Sequence, residues 1–288
     1  LTAARNRTLS LSAGLAASAC AASARAGDPF EIQVYDGTAD APGVPGVELH
    51  LNEWATGNRG ASPPEASLHG QFHATLEPSL GVFPFWEIGA YVQSAVRADD
   101  GVAGWAGVKL RSKFVTPPSF DVHWRFGLNL EVSYLPPSYD RDRWGSEIRP
   151  IVAWHDATWL FAINPILDQA LASPGAREGP SFQPAAKVAC TVGPVALGIE
   201  YYATFGPIAA VPPWSREEQQ IFEVVDVIAV KGVEVNAGIG EGLTAASAGV
   251  LFKMILGYEF DEVRRPAAEP LPPEPLAPRS ALGRSGRW

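Results

Sequence analysis

Phe120 to Tyr134 reads FDVHWRFGLNLEVSY. One parity carries Val122, Trp124, Phe126, Leu128, Leu130, Val132 and Tyr134, all apolar. The other carries Asp121, His123, Arg125, Gly127, Asn129, Glu131 and Ser133, all polar or glycine. Side chains alternate faces along a strand, so a period of two places an apolar and a charged surface back to back. A helix, turning 100° per residue, would scatter those charges through its apolar stripe.

The run is long for a soluble strand, which averages about 5–6 residues, and it exceeds the roughly 9–11 that a tilted strand needs to cross a bilayer. An apolar face against lipid and a polar face against a wet or plugged interior satisfy both surfaces. The expected fold class is therefore all-β, a transmembrane antiparallel up-and-down β-barrel. Eleven more stretches carry the same alternation: Val47–Trp54, Leu68–Glu77, Phe85–Arg97, Gly104–Phe114, Ser146–Trp154, Thr158–Ile166, Ser181–Cys190, Val195–Phe205, Gln219–Val230, Val233–Gly240 and Gly249–Phe260. Twelve strands is an even number, as such barrels require. Their connections alternate between long Pro- and Gly-rich loops and tight turns, which places the loops outside and the turns at the periplasmic face. Residues 78–84, with Pro78, Gly81 and Pro84, read as a connector that blurs this alternation.

Composition agrees. Hydrophobic residues make up 47% of the chain and charged ones only 18%, a low charge for a soluble globule. Beyond the N-terminus the chain has no apolar run of the roughly 18 residues a spanning helix needs. Arg5 and Arg7, the apolar stretch Leu9–Ala22 and the small-x-small site Ala24-Arg25-Ala26 form an export signal over 1–26. Losing Arg5, Arg7 and Arg25 from the 22 basic residues leaves 19 against 31 acidic ones, a charge of −12. That balance argues against a nucleic-acid partner. Residues 27–46 form an N-terminal periplasmic or lumen segment in which FEIQVY (30–35) is a short strand candidate, and 47–260 form the barrel. Residues 261–288, with six prolines from Pro266 to Pro278, form a tail that cannot bury a core.

The inward parity carries the chemistry. Lys109, Arg111 and Lys113 form a basic ladder beside the strand with His123, Arg125 and Glu131, and Glu147 and Arg149 follow on the next strand. A ring of such side chains selects ions or anionic solutes in a pore; paired across strands, the same side chains fill a closed barrel. His69, His73 and Glu77, with His50 and Glu48 on the preceding strand, make a metal site conceivable. Polar lumen residues give the same pattern, so no metal or other cofactor is expected. A barrel lipase would need His and Ser two apart on the lipid side. The nearest pattern, His73-Ala74-Thr75, has inward parity, and no enzyme activity is expected.

From the FEIQVYDG opening (30–37), through the alternating strands, to the LFKMILGYEF close (251–260), the chain resembles the proteobacterial outer-membrane transporter barrels. These are related to the channel family associated with phenol (meta-pathway) degradation operons. The resemblance implies passive transport in the outer membrane and supplies no functional residues. Leu256, Tyr258 and Phe260 resemble the terminal signal handed to the barrel assembly machinery. The expected partners are that machinery, outer-membrane lipids and lipopolysaccharide, and a small-molecule solute. The alternative is a closed barrel acting as a structural or adhesive surface protein through its external loops.

Overall fold

The period of two becomes a closed wall. A computed structural model describes residues 28–57, 64–98, 100–117, 119–172, 175–230 and 232–260. The expected signal peptide (1–26) and proline-rich tail (261–288) lie outside the described residues. The strand segments are β1 (Pro45–Thr56), β2 (Phe72–Phe83), β3 (Trp86–Val96), β4 (Ala103–Val115), β5 (Trp124–Tyr134), β6 (Trp144–His155), β7 (Trp159–Asn164) and β8 (Leu167–Ala170). They continue as β9 (Ser181–Phe182), β10 (Ala185–Val192), β11 (Val195–Thr204), β12 (Gly206–Pro207), β13 (Glu218–Val227), β14 (Val233–Gly242) and β15 (Val250–Glu259).

Three pairs of segments are single strands interrupted in place. β7 and β8 both pair with β6; β9 and β10 follow them along the next strand, and β11 and β12 along the one after. Pro165 and Pro184 stand in two of the interruptions, where a residue without an N–H cannot extend the ladder. The wall thus has twelve antiparallel strands. It closes where β1 pairs with β15, with Leu49 opposite Leu256.

Tight connections at 84–85, 156–158 and 193–194, with 116–123 and 228–232, lie at one end. Both ends of the barrel chain meet there, where the Phe260 N–H donates to the Pro45 carbonyl. The longer loops lie at the other end. Residues 78–83, read from sequence as a connector, continue β2 instead. Pro78 is exposed on the outer face, and its neighbours still pair with β1 and β3, so the turn shrinks to 84–85.

Outward residues are large, apolar and exposed, among them Leu110, Leu128, Leu130, Val132, Ile163, Ile199 and Ile239. Inward ones are polar and buried, among them Thr75, Gln93, Asn129, Glu131, Arg149 and Glu200. This inverts a soluble domain and matches lipid as the outer solvent. Aromatic rings, stacked or edge-on, border the band. Phe83, Phe85, Trp86 and Phe114 lie at the turn end, and Trp105, Tyr134 and Trp144 at the loop end. Along β5 the ten steps from Trp124 to Tyr134 span about 34 Å of strand. Tilted by about 40°, that is about 26 Å, the height of an outer-membrane apolar band.

Two local devices shift the expected boundaries. The Asp121 carboxylate accepts the N–H groups of His123 and Trp124, at 2.7 and 2.9 Å, and these bonds hold its pKa below the usual range. That cap ends the ladder, so β5 begins at Trp124 rather than Phe120. In β4 a bulge sets Ala106 between the residues paired with Gln93 and Ser94. It turns both Ala106 and Gly107 inward and sends Trp105 out, whereas alternation alone placed Ala106 on the apolar side. Gly107 has φ +150°, and a side chain there would strike the Tyr134 carbonyl and the Gln93 amide.

Candidate functional site

Residues 28–44 enter the barrel and lie along its axis. FEIQVY joins no ladder, yet Phe30, Ile32, Val34 and Tyr35 are all buried. Its own alternation divides the lumen. Ile32 and Val34 pack against Trp54, Ala162, Ile166, Phe222, Val224 and Leu251, on the apolar side of the interior. Glu31 and Tyr35 face the charged strands β3 to β6. Near the loop end Phe30 stacks on His73 at 4.3 Å and meets Tyr139 edge-on at 5.7 Å. At the turn end the segment runs so close to the wall that a Cβ on Gly81 would collide with the carbonyl oxygens of Asp40 and Ala41.

The basic ladder is neutralised pair by pair. Lys109 Nζ meets Asp28, Glu31 (3.2 Å) and Glu131 (3.0 Å). Arg111 bridges Glu77 (2.6 Å) and Glu87 (2.7 Å), and Lys113 shares Glu87 at 2.9 Å. Arg149 joins Glu31 (3.2 Å) and Glu147 (2.6 Å). Arg125 reaches Asp36 at 3.1 Å near the turn end. His123 stands apart: it is exposed in the 116–123 turn, with Nδ1 at 2.8 Å from the His155 carbonyl. Of the residues singled out from sequence, the fold brings Lys109, Arg111, Lys113, Glu131, Glu147 and Arg149 into one buried network and leaves His123 outside it.

Residues that alternation did not single out complete the network. The Tyr35 hydroxyl donates to Glu31 at 3.0 Å and lies 2.7 Å from the Tyr91 hydroxyl. Its ring is flanked by Arg149 at 4.5 Å, Lys113 at 5.3 Å and Arg111 at 5.7 Å, favourable cation–π placements. Asn164 clasps the Tyr35 backbone, accepting its N–H (2.7 Å) and donating to its carbonyl (3.0 Å). Across the lumen Lys253 pairs with Glu200 and donates to the Ile32 carbonyl at 3.1 Å. Lys187 joins Glu200 (3.1 Å) and Asp226 (2.8 Å). Glu31 was legible as the polar parity of FEIQVY, whereas Asp28 and Asp36 fall on its apolar parity just outside the stretch and carried no such signal.

Among the described residues, the two larger cavities lie along the segment, one towards each end. The loop-end cavity, about 240 Å³, is lined by eight carboxylates, among them Asp28, Glu131, Asp140, Asp142, Glu147 and Asp168, against two cations, Lys109 and Arg141. The turn-end cavity, about 430 Å³, mixes Glu48, Glu77, Asp226 and Glu234 with Arg111, Lys113, Arg125 and Lys187. Asp40, on the segment near this end, accepts from Ser79 Oγ at 2.5 Å. Burial pushes its carboxyl up to about 6, against the opposing pull of that hydroxyl. The His73 and Thr75 side chains, nearest to a hydrolase pattern, are buried inside. The His73 ring nitrogens lie 2.9 Å from the Pro29 carbonyl and 2.8 Å from Gln71 Oε1.

With this geometry the chain can be set beside solved structures. It is similar to an outer membrane channel from Pseudomonas putida F1, at a TM-score of 0.54 and 11% identity, over 80% of this chain and 100% of that one. The fold is that of an outer-membrane β-barrel. The KdgM porin (TM-score 0.48, 8% identity, 74% of this chain and 98% of that one) and the NanC porin (0.47, 8%, 74% and 97%) are more distant. No protein-family model matches the sequence, and no curated protein matches it.

Proposed function

We propose that the protein is an outer-membrane channel for passive diffusion of small solutes, with lumen charges setting its selectivity. The observation that carries this reading is the continuous line of charged side chains down the interior, joining a cavity at each mouth around a segment that forms no ladder with the wall. A barrel built only as a scaffold has no need of buried charge, since apolar residues of similar volume would fill its interior at no greater cost. The apolar band faces lipid, lipopolysaccharide meets the loop end, and Leu256, Tyr258 and Phe260 serve as the assembly signal.

Selectivity follows the balance of acidic and basic groups at each mouth. Lys109, Arg111 and Lys113 would favour anions in an empty barrel, but each now faces carboxylates. The loop-end mouth carries eight acids to two cations. A mouth of one sign concentrates counter-ions and repels co-ions. Single-channel recording of refolded protein in a planar bilayer, with reversal potential measured under a salt gradient, tests this. Discrete conductance steps with cation preference are expected. Silence from protein whose SDS-resistant band shifts on heating would remove the channel reading and favour a surface role for the loops.

A further inference from the structure

The histidines and glutamates of the first two strands separate in space and then partly regroup. His69 lies before β2, and His73 is engaged by the segment. Glu48 and His50 on β1 converge with Glu77 on β2, which pairs directly opposite Glu48. His50 Nε2 is 3.0 Å from Glu77 Oε2 and 3.3 Å from Glu48 Oε2. One ligand atom from each of the three residues falls within 4.8 Å of the others. Donors bound tetrahedrally at roughly 2.0–2.2 Å stand about 3.3–3.6 Å apart, so the two spacings from His50 need an adjustment of only about 0.5 Å or less to enclose an ion.

Three further observations point to an ion there. Gln33 holds its amide nitrogen 3.3 Å from the same Glu48 oxygen, and its Oε1 is buried without a partner. A half-turn of that amide exchanges nitrogen for oxygen and offers a fourth ligand. His50 is 1% exposed with Nδ1 unpartnered, so this nitrogen can keep the ring proton while Nε2 binds. Carboxylates also gather here: Glu87 shares the Arg111 guanidinium with Glu77, and Glu48 and Glu234 both flank Gly257. The mixed nitrogen and oxygen donor set suits a borderline cation better than calcium or magnesium.

We propose that Glu48, His50 and Glu77 bind one divalent transition cation of the zinc class, with Gln33 closing its shell. The site opens to the turn-end cavity, which supplies an entry path. Because Gln33 belongs to the lumen segment, a bound cation fastens that segment to β1 and β2. The proposal does not depend on conduction.

The test is calorimetric titration of Zn²⁺ into chelator-treated, refolded full-length protein, with the heat-shifted SDS band confirming the fold of each variant. One ion per chain is expected, with a dissociation constant of about 10 μM or tighter. His50→Gln and Glu48→Gln should each weaken it by about tenfold or more, while His69→Ala should leave it unchanged. If His50→Gln fails to fold, Glu48→Gln decides. X-ray absorption should show one nitrogen and two or three oxygens at roughly 2.0–2.2 Å. No saturable binding, an all-oxygen shell, or unchanged affinity in the folded variants would overturn the site and assign any bound zinc to the acidic loop-end mouth.

Discussion

Replacing Glu31 by Gln probes what holds the lumen segment in place. The Glu31 side chain is completely buried, its oxygens reach Lys109 and Arg149 at 3.2 Å each, and it accepts from Tyr35 at 3.0 Å. Breaking a buried ion pair by removing one partner costs about 3–5 kcal/mol, mostly because the other charge is left uncompensated. Here both cations keep a second carboxylate, Glu131 at 3.0 Å from Lys109 and Glu147 at 2.6 Å from Arg149. The loss therefore falls at the low end, about 3 kcal/mol, and it is borne by docking of the segment rather than by the wall, whose ladders are untouched. At about 1.4 kcal/mol per tenfold, the undocked population rises by about 100-fold. In planar bilayers this should appear as a matching rise in the frequency of large openings, with the heat-shifted SDS band unchanged. Glu147→Gln, which removes a charge borne by the wall, should raise that frequency far less. Equal effects from the two substitutions, or no change in Glu31→Gln, would refute the claim that this ion pair docks the segment.

Two other outcomes follow from the same geometry. Asp40 has its carboxyl raised to about 6 from an ordinary 3.8, so the docked segment binds this proton more tightly than the free one does. Docking should strengthen as pH falls through 6 towards 4 and weaken above 6, seen as rising open probability between pH 5 and 7; Asp40→Asn should flatten that rise. Leu130 lies midway along β5 and is 38% exposed on the outer face. Leu130→Arg should destabilise the barrel by about 2–4 kcal/mol in urea titrations from vesicles, and an effect near zero would place that face in water.

Much of the fold was legible because it is local. Leu128 and Leu130 lie outside, and Asn129 and Glu131 inside, because neighbouring side chains on a strand must diverge. The failures were local devices that alternation cannot register. Asp121 caps the turn and so strands His123 outside the lumen. The bulge at Ala106 reverses the parity of one residue, and Pro78 is tolerated within β2 because it points outward. The candidate site was half visible. Lys109, Arg111, Lys113, Glu131, Glu147 and Arg149 were found as inward residues, but Tyr35, Glu200, Lys187 and Lys253 carried no pattern that marked them as partners.

The sequence by itself determined the two faces of the strands away from the β4 bulge, hence a barrel with lipid outside and charge within, since pleating depends only on adjacent residues. Tertiary structure alone decided what that charge does. Lys109 meets Glu31 from 78 positions away, and Lys253 meets Glu200 across 53. Coulombic and hydrogen-bond energies depend on separation in space, which chain position does not reveal. A ladder that reads as an anion filter along the strand therefore becomes, once the barrel closes around residues 28–44, a socket for the carboxylates of its own N-terminal segment.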